Sequence, residues 1–262
     1  MSERSSAASR FGSLIYGTVT YVIFLVTFVY SIGFIGNLLV PKGIDTGTPG
    51  PAGTAIAINL ILMALFAIQH SVMARPAFKR WWTRFVPQQL ERSTYVLFTS
   101  LILLLMYWQW RPMPHVIWSF EGTALGVALT GLYFAGWALV LYATVLIDHF
   151  DLFGMRQVVL HMRERKYMHH PFSTPSLYKY MRHPLYLGWF IAFWVTPTMT
   201  EGHLLFAFVT STYIVMAVVW EERDLVAHFG DAYVRYQETT PKFCPMGRKG
   251  SRTSGLSPAD QR

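Results

Sequence analysis

The residues best suited to chemistry stand at the two ends of one apolar region near the C-terminus. Arg182 and His183 precede it, within the segment YKYMRHPLYLG that begins at Tyr178, and Glu221 and Glu222 follow it. If the apolar region folds as an antiparallel helical hairpin in a membrane, these side chains share one polar site at the membrane surface. The alternative is that Arg182 pairs with one of the two carboxylates and only anchors the hairpin.

The sequence around these residues favours a charged ligand. Pro184 suits the first turn of a helix, and the N-terminus of that helix offers free N–H groups and a partial positive charge to a carboxylate. Glu221 and Glu222 can bind ribose hydroxyls or an ammonium group, or lie near a sulfonium. Further on, Tyr233 and Tyr236 lie three residues apart and can share a helix face. They either surround an adenosine or pack at the membrane interface.

The composition indicates an integral membrane protein. The chain is 53% hydrophobic and only 14% charged, whereas soluble domains have about 25% charged residues. The net charge of +8 does not predict a nucleic-acid partner, because the cations gather beside apolar runs, where they contact membrane lipid. The single cysteine, Cys244, excludes an intramolecular disulfide.

The apolar stretches predict an all-α, polytopic fold with six transmembrane helices. A bilayer core of about 30 Å needs about 20 apolar residues per helix. Four stretches satisfy this, and a fifth region is interrupted by Pro197 and Gly202, which predicts a hairpin of two short helices of about 17 residues each. The five regions are 14–36, 55–74, 94–110, 124–147 and 185–220.

The positive-inside rule supports six spans with both termini in the cytoplasm. In that arrangement all of the 22 Lys and Arg residues except Lys42 and Arg111 lie on the cytoplasmic side. Five spans would place the cationic tail on the other side. The polar mass then lies in a cytoplasmic loop, 148–183, and a cytoplasmic tail, 221–246, so we expect a charged cofactor to bind there.

The span count predicts one membrane domain over residues 1–246, with its cofactor-binding part at 176–245. The stretch 247–262 is rich in Ser, Gly and Arg and is predicted to be disordered. A further segment, HMRERKYMHHP, contains His161, His169 and His170. It lacks a ligand pattern such as HExxH, so we expect no metal and interpret it as a basic loop beside anionic lipid.

The RHPLYLG segment and the later EERDLVAHFGDAYVRYQETTPKFCP resemble the isoprenylcysteine carboxyl methyltransferase superfamily. The pattern of that superfamily is RHPxYxG followed by EExxLxxxFGxxYxxYxxxVPxxxP, and this chain departs from it at Thr240, where Val is usual, and at Leu177. The resemblance implies a membrane methyltransferase that uses S-adenosylmethionine. No GxGxxG is present, so a Rossmann-type methyltransferase is not expected. The cofactor-binding residues that the resemblance implies are Tyr178, Arg182, His183, Tyr186, Gly188, Glu221, Glu222, Tyr233 and Tyr236, with His183 and Glu222 ranked first.

Three other segments are similar to one group within that superfamily. IQHSVMARPAFK, DHFDLFGMRQVVL and the long run FSTPSLYKYMRHPLYLGWFIAFWVTPTMTEGHLLFA are similar to bacterial methanethiol S-methyltransferases. This likeness implies that a small volatile thiol, methanethiol, is methylated to dimethyl sulfide in a bacterial inner membrane, with no obligate protein partner evident. Superfamily membership alone leaves other acceptors open, among them a prenylcysteine, a lipid or another small thiol.

Methylation of a thiol needs a base that removes its proton or a positive group that stabilises the thiolate, because the thiolate is the nucleophile and a free thiol has a pKa near 8.5. His70, at the inner end of the second span, and His149, at the start of the large loop, are the candidate bases. Asp151 can orient a histidine and Arg156 can hold a thiolate. A buried hydrogen bond between His149 and Asp151 with a purely structural role explains that pair equally well.

Two classes of non-enzyme membrane protein make different demands on the sequence. A membrane haem or electron-transfer protein needs axial ligands that converge inside the bundle, and the nine histidines are mostly at span ends or in loops. A transporter is expected to show inverted repeats and helices broken at the bilayer midplane. Neither pattern is convincing in this sequence, which favours the enzyme.

Overall fold

The computed structural model describes residues 6–168 and 170–244. The predicted disorder of 247–262 therefore lies outside the described residues. Nearly all of the regular structure is helical, and two short strands are the exception. The helices are α1 (Ala7–Gly36), α2 (Ala52–Ala74), α3 (Pro76–Trp82), α4 (Glu91–Gln109), α5 (Ala124–Leu146), α6 (His149–Leu152), α7 (Met155–Met162), α8 (Pro184–Trp194), α9 (Glu201–Phe229) and α10 (Asp231–Thr239), and the strands are β1 (Val116–Ser119) and β2 (Thr198–Thr200).

Five of these helices are long and apolar enough to cross a bilayer. They are α1, α2, α4 with its preceding 3₁₀ turn, α5 and α9. The prediction of a polytopic helical membrane protein is thus confirmed. The first four coincide with the predicted spans to within several residues at each end, because their apolar runs are long and bounded by Gly, Pro or charged residues.

The predicted hairpin differs from its expected form. Its first helix, α8, has 11 residues and covers only about 16 Å at 1.5 Å per residue, about half of a bilayer core. Beyond Trp194 the chain is extended, and β2 pairs antiparallel with β1. Pairing with β1 satisfies the backbone N–H and C=O groups of this stretch without a helix. The prediction of a helix of about 17 residues was therefore wrong, because the helix ends after 11. The count of six spans stays a prediction.

Helices α5 and α8 approach each other closely through glycines. A Cβ atom on Gly188 would lie 2.8 Å from both Cγ2 and the backbone nitrogen of Val140, and one on Gly136 would lie 2.8 Å from the backbone nitrogen of Ala192. Small residues at helix contacts allow such approach inside membranes. Gly188, predicted to line a cofactor pocket, therefore belongs to the packing between α5 and α8.

Replacing Gly188 with alanine is expected to lower the free energy of unfolding by about 1–3 kcal/mol, because the added methyl overpacks this contact. The measurement is the denaturant midpoint of the protein in detergent micelles. Gly131→Ala, on α5 with nothing within 4 Å of the added Cβ, is the matched control and should leave the midpoint close to that of the wild type. Equal midpoints for both variants would contradict the close approach.

The DLFGMRQ segment folds back against the bundle after α5. Gly154 adopts a φ of +89°, and a Cβ atom there would lie 2.7 Å from the backbone nitrogen of Ser93. Farther along, Val158 on α7 is fully buried, and its Cγ2 lies 2.6 Å from where a Cβ on Gly17 would stand. A larger residue fits at neither glycine. These contacts with α1 and α4 fix the segment and with it His149.

Candidate active site

A cleft of about 920 Å³ lies between the C-terminal parts of α5 and α9, helix α10 and the segment that precedes α8. Ligand pockets typically enclose about 300–1,000 Å³, so the cleft is large enough for a nucleotide-sized molecule. The start of the large loop closes one side, and the segment before α8 closes another. The predicted site residues in its wall are His149, Tyr178, Arg182, His183, Glu221, Tyr233 and Tyr236.

The two ends of the hairpin meet in a buried ion cluster beside the cleft. Arg182 Nε donates to Glu222 Oε1 over 2.8 Å, and His183 Nε2 lies 3.1 Å from the same oxygen. Lys242 Nζ is 3.3 Å from Glu222 Oε2. The side chains of Arg182 and Glu222 are only 7% and 10% exposed. Buried charges need such partners. The ion pair by which Arg182 was expected to anchor the hairpin is therefore present, and its partner is Glu222.

The chain after α10 covers this cluster as a C-terminal strap, defined here as residues 240–243. The backbone N–H of Arg182 donates to Pro241 O over 2.9 Å, and that of His183 donates to Lys242 O over 3.0 Å. The Arg182 guanidinium also donates to the carbonyl oxygens of Gln237 and Thr240. Several of its donors are thus bound to other groups of the protein. Arg182 therefore mainly holds the strap and Glu222 in place.

The two consecutive glutamates have different surroundings. Glu221 lines the cleft with its side chain 44% exposed, and its Oε2 accepts a hydrogen bond of 2.8 Å from the Tyr186 hydroxyl. Glu222 lies behind the wall with the cations. Successive residues on a helix point about 100° apart, so only one of them faces the cleft. Glu221, not the higher-ranked Glu222, offers a carboxylate to a ligand.

An aromatic wall closes the cleft on the side of α10. The ring centroid of Phe172 lies 5.8 Å from that of Tyr233, 5.5 Å from that of Tyr236 and 5.2 Å from that of Phe229. The Tyr236 hydroxyl donates to Tyr178 O, and burial raises the pKa of Tyr236 to about 12. It therefore stays a neutral donor. Such a wall suits a planar ring or a cation.

The large loop is braced by ion pairs around two aspartates. Asp148 accepts from His170 Nε2 at 2.8 Å, and Arg156 lies 3.8 Å from Asp148 and 3.2 Å from Asp151. Burial tends to raise the pKa of Asp148, but the Asp151 N–H, His170 and Arg156 together lower it. Asp151 also accepts from Gln157. Two carboxylates therefore contact the Arg156 guanidinium, and they compete with a thiolate for it.

His149 is the catalytic candidate that the structure places in the cleft wall. Its Nε2 lies 2.8 Å from the Tyr21 hydroxyl and its Nδ1 lies 2.8 Å from the Thr144 hydroxyl. These hydroxyls, and not Asp151, contact the two ring nitrogens. Burial lowers the pKa of His149, although Asp148 opposes this. The imidazole is thus neutral near pH 7, the state that a general base requires.

His70 has a different setting. It lies on α2, stacked on Phe66 at 5.2 Å between ring centroids, with the Tyr95 hydroxyl 2.9 Å from its ring nitrogens. It is not part of the cleft wall. Within residues 6–168 and 170–244, no group of three His, Cys, Asp or Glu side chains is arranged to hold a metal, and His169 lies outside these ranges.

Sequence reasoning missed several residues of the site. Phe172 in the aromatic wall and Asp148 and His170 in the loop were not singled out as ligand-facing, although all three line the cleft. DHFD contained the signal for Asp148, since two aspartates there bracket His149. Tyr21 and Thr144 carried no local signal, because Tyr21 reaches His149 from 128 positions away.

Comparison with known proteins decides the family. The chain is 53% identical to Methanethiol S-methyltransferase 1 of Bradyrhizobium diazoefficiens, over 91% of this chain and 84% of that protein. The chain belongs to the methanethiol S-methyltransferase family. It is also 51% identical to Methanethiol S-methyltransferase of Mycobacterium tuberculosis, over 90% of this chain and 97% of that protein. The resemblance seen in the sequence is thus confirmed.

A more distant likeness extends beyond the methanethiol S-methyltransferase family. Nurim of Mus musculus is 31% identical over 65% of this chain and 68% of its own length. No family model and no solved structure matches the chain. As a member of the methanethiol S-methyltransferase family, the protein is a membrane-embedded methyltransferase, and its site has to hold a methyl donor and an acceptor.

Proposed function

We propose that this protein transfers a methyl group from S-adenosylmethionine to methanethiol, forming dimethyl sulfide, in the cleft at the cytoplasmic side of a bacterial inner membrane. The observation that carries the proposal is one cleft wall that combines Glu221, His183, aromatic rings and His149. The names of the relatives support methanethiol as the acceptor. Residues 1–246 would act as one domain, with both termini in the cytoplasm.

The cleft fits the chemical groups of S-adenosylmethionine. The aromatic wall offers stacking to an adenine ring, and the exposed carboxylate of Glu221 offers an acceptor to ribose hydroxyls or to the ammonium group. His183, which lines the cleft at the N-terminus of α8, suits the carboxylate of the amino acid part. When bound, S-adenosylmethionine supplies an electrophilic methyl group on a positively charged sulfur.

The remaining requirement is a thiolate held in line with that methyl group. Charge is neutralised as a thiolate meets a sulfonium, so apolar surroundings favour the step. His149 is the preferred base over His70, because His149 lines the cleft and lies among the rings of Phe24, Phe150 and Phe153. Good orientation of the two partners contributes about 7–11 kcal/mol to such a reaction.

The test is incubation of membranes containing the protein with methyl-labelled S-adenosylmethionine and methanethiol, followed by headspace analysis. Labelled dimethyl sulfide is the expected product. Label in lipid or in a prenylated thiol, without a volatile product, would assign a different acceptor. Absence of any labelled product from protein that is intact by chromatography would overturn the proposal.

Replacing Glu221 with glutamine is expected to weaken S-adenosylmethionine binding about 10-fold, because a charge-assisted hydrogen bond is lost. The measurement is equilibrium binding of labelled cofactor to detergent-solubilised protein. Glu201→Gln, at the opposite end of the same helix and paired with His115 at 3.3 Å, is the matched control. A weaker affinity in the control, or none lost in Glu221→Gln, would remove Glu221 from the cofactor site.

A further inference from the structure

The hydrogen bonds around His149 determine which of its nitrogens carries the proton. The Thr144 hydroxyl donates its single hydrogen to Leu141 O over 2.7 Å. At the Nδ1 contact of 2.8 Å the hydroxyl oxygen must then accept. Nδ1 therefore bears the hydrogen, and in a neutral imidazole Nε2 is left as the acceptor. Thr144 fixes this tautomer from the last turns of α5.

Tyr21 occupies the basic nitrogen that remains. Since Nε2 has no hydrogen in this tautomer, the contact of 2.8 Å to Tyr21 is a hydrogen bond donated by the phenol. The phenol oxygen keeps lone pairs for another donor. Tyr21 also packs against Phe150, with 5.9 Å between ring centroids, and both Phe150 and His149 line the cleft. The Tyr21 hydroxyl therefore stands between Phe150 and the one ring nitrogen of His149 that can accept a proton.

We propose that Thr144 is a positioning residue of the methyl transfer and that Tyr21 passes the thiol proton to Nε2 of His149. This inference rests on the proposed function. The thiol gives its proton to the Tyr21 oxygen as the Tyr21 proton moves to Nε2. The thiolate sulfur forms a bond to the methyl carbon, and the bond from that carbon to the sulfonium sulfur breaks, leaving its electron pair on the departing sulfur. The proton on the imidazolium is later lost to water.

The groups around His149 suit this sequence of proton transfers. Tyr21 faces it from α1, and Thr144 faces it from α5. Asp148 is its neighbour along the chain and stabilises the imidazolium that forms, while Arg156 and His170 are held on Asp148. Phe24 and Phe153 pack against part of the ring, at 6.4 and 4.8 Å between centroids.

Two substitutions have opposite expected effects on the pH dependence of kcat/KM. The activity should rise with pH as His149 loses its proton. Thr144→Val removes the acceptor of the Nδ1 hydrogen, which stabilises the cation more than the neutral ring, so the rise should move to lower pH. Tyr21→Phe removes the donor that stabilises neutral Nε2, so the rise should move to higher pH. Each variant should also lose about 10-fold or more in kcat/KM at neutral pH.

The experiment uses the full-length protein in detergent micelles, with S-adenosylmethionine binding measured beside dimethyl sulfide formation. Thr144→Ser keeps the hydroxyl and should restore kcat/KM to within about threefold of the wild type.

Shifts of the two pH profiles in opposite directions, with cofactor binding unchanged, support the inference. Unmoved profiles, or shifts in the same direction, overturn it while the wild type still makes product. A wild type that makes no dimethyl sulfide overturns the proposed function itself. If Thr144→Val fails to fold, the Tyr21→Phe variant is sufficient: a rise in kcat/KM at the same pH as in the wild type, or at a lower pH, overturns the inference.

Discussion

Replacing Arg182 with methionine is expected to lower the free energy of unfolding by about 3–5 kcal/mol, because it leaves the buried Glu222 carboxylate without its closest cation. The guanidinium donates to Glu222 and to two carbonyl oxygens, of Gln237 and Thr240. The two carbonyl oxygens lose this donor, and Glu222 keeps only His183 and Lys242 as partners. Since the backbone N–H of Arg182 is bound to the strap, we also expect the strap to loosen and cofactor binding to fall.

The measurement for Arg182→Met is a denaturant titration in detergent micelles with S-adenosylmethionine binding in parallel. Arg75→Met is the matched control. Arg75 pairs with Asp224 at 3.2 Å, but the two side chains are 35% and 51% exposed, and such pairs contribute at most about 1 kcal/mol. Similar losses in both variants would show that the buried cluster has no special contribution to stability.

Replacing His149 with alanine is expected to lower kcat by about 10²–10⁴-fold, the range that general-base catalysis contributes. S-adenosylmethionine binding should stay within about twofold of the wild type, because the proposed cofactor-binding groups lie in the segment before α8 and on α9 and α10. The measurement combines headspace analysis of dimethyl sulfide with equilibrium binding of the cofactor. A kcat near that of the wild type would remove His149 from the reaction.

His161→Ala is the control for this experiment. His161 belongs to α7 in the same loop, and its Nε2 lies 3.4 Å from the amide nitrogen of Gln89, away from the cleft wall. Its loss should leave kcat within about threefold of the wild type. His70→Ala provides a second comparison, because His70 is the other candidate base and has no place in the cleft wall. A larger effect for His70 than for His149 would reverse the assignment of the base.

The sequence was sufficient to predict the long spans and the meeting of the hairpin ends. Apolar length identifies a membrane helix without reference to the rest of the chain, and α1, α2, α4 and α5 follow from it. The contact of Arg182 and His183 with Glu222 follows from the hairpin, since a short turn returns the chain to the same level. The first prediction rests on local composition, and the second joins residues 40 positions apart but needs only one reversal of the chain.

The early end of α8 and the different roles of the two glutamates could not be predicted in this way. Helix α8 ends because the following backbone pairs with β1, about 80 positions earlier, and that partner leaves no mark near Trp194. Glu221 and Glu222 are chemically identical neighbours, so only the rotation of α9 decides which of them faces the cleft. The hydroxyls that hold His149 likewise come from α1 and α5, and only the packing brings them together.

The C-terminal strap makes the order of synthesis matter for this protein. Thr240 lies 58 positions after Arg182, so the Arg182–His183 segment is translated well before the carbonyl groups that hold it. A nascent chain stopped before residue 240 would contain all five helices of the described residues that are long enough to cross the bilayer, yet the buried cations and carboxylates would lack their cover. We therefore expect membrane insertion and acquisition of activity to be separate events in biogenesis, so that a ribosome-stalled or proteolytically clipped product is inserted but inactive.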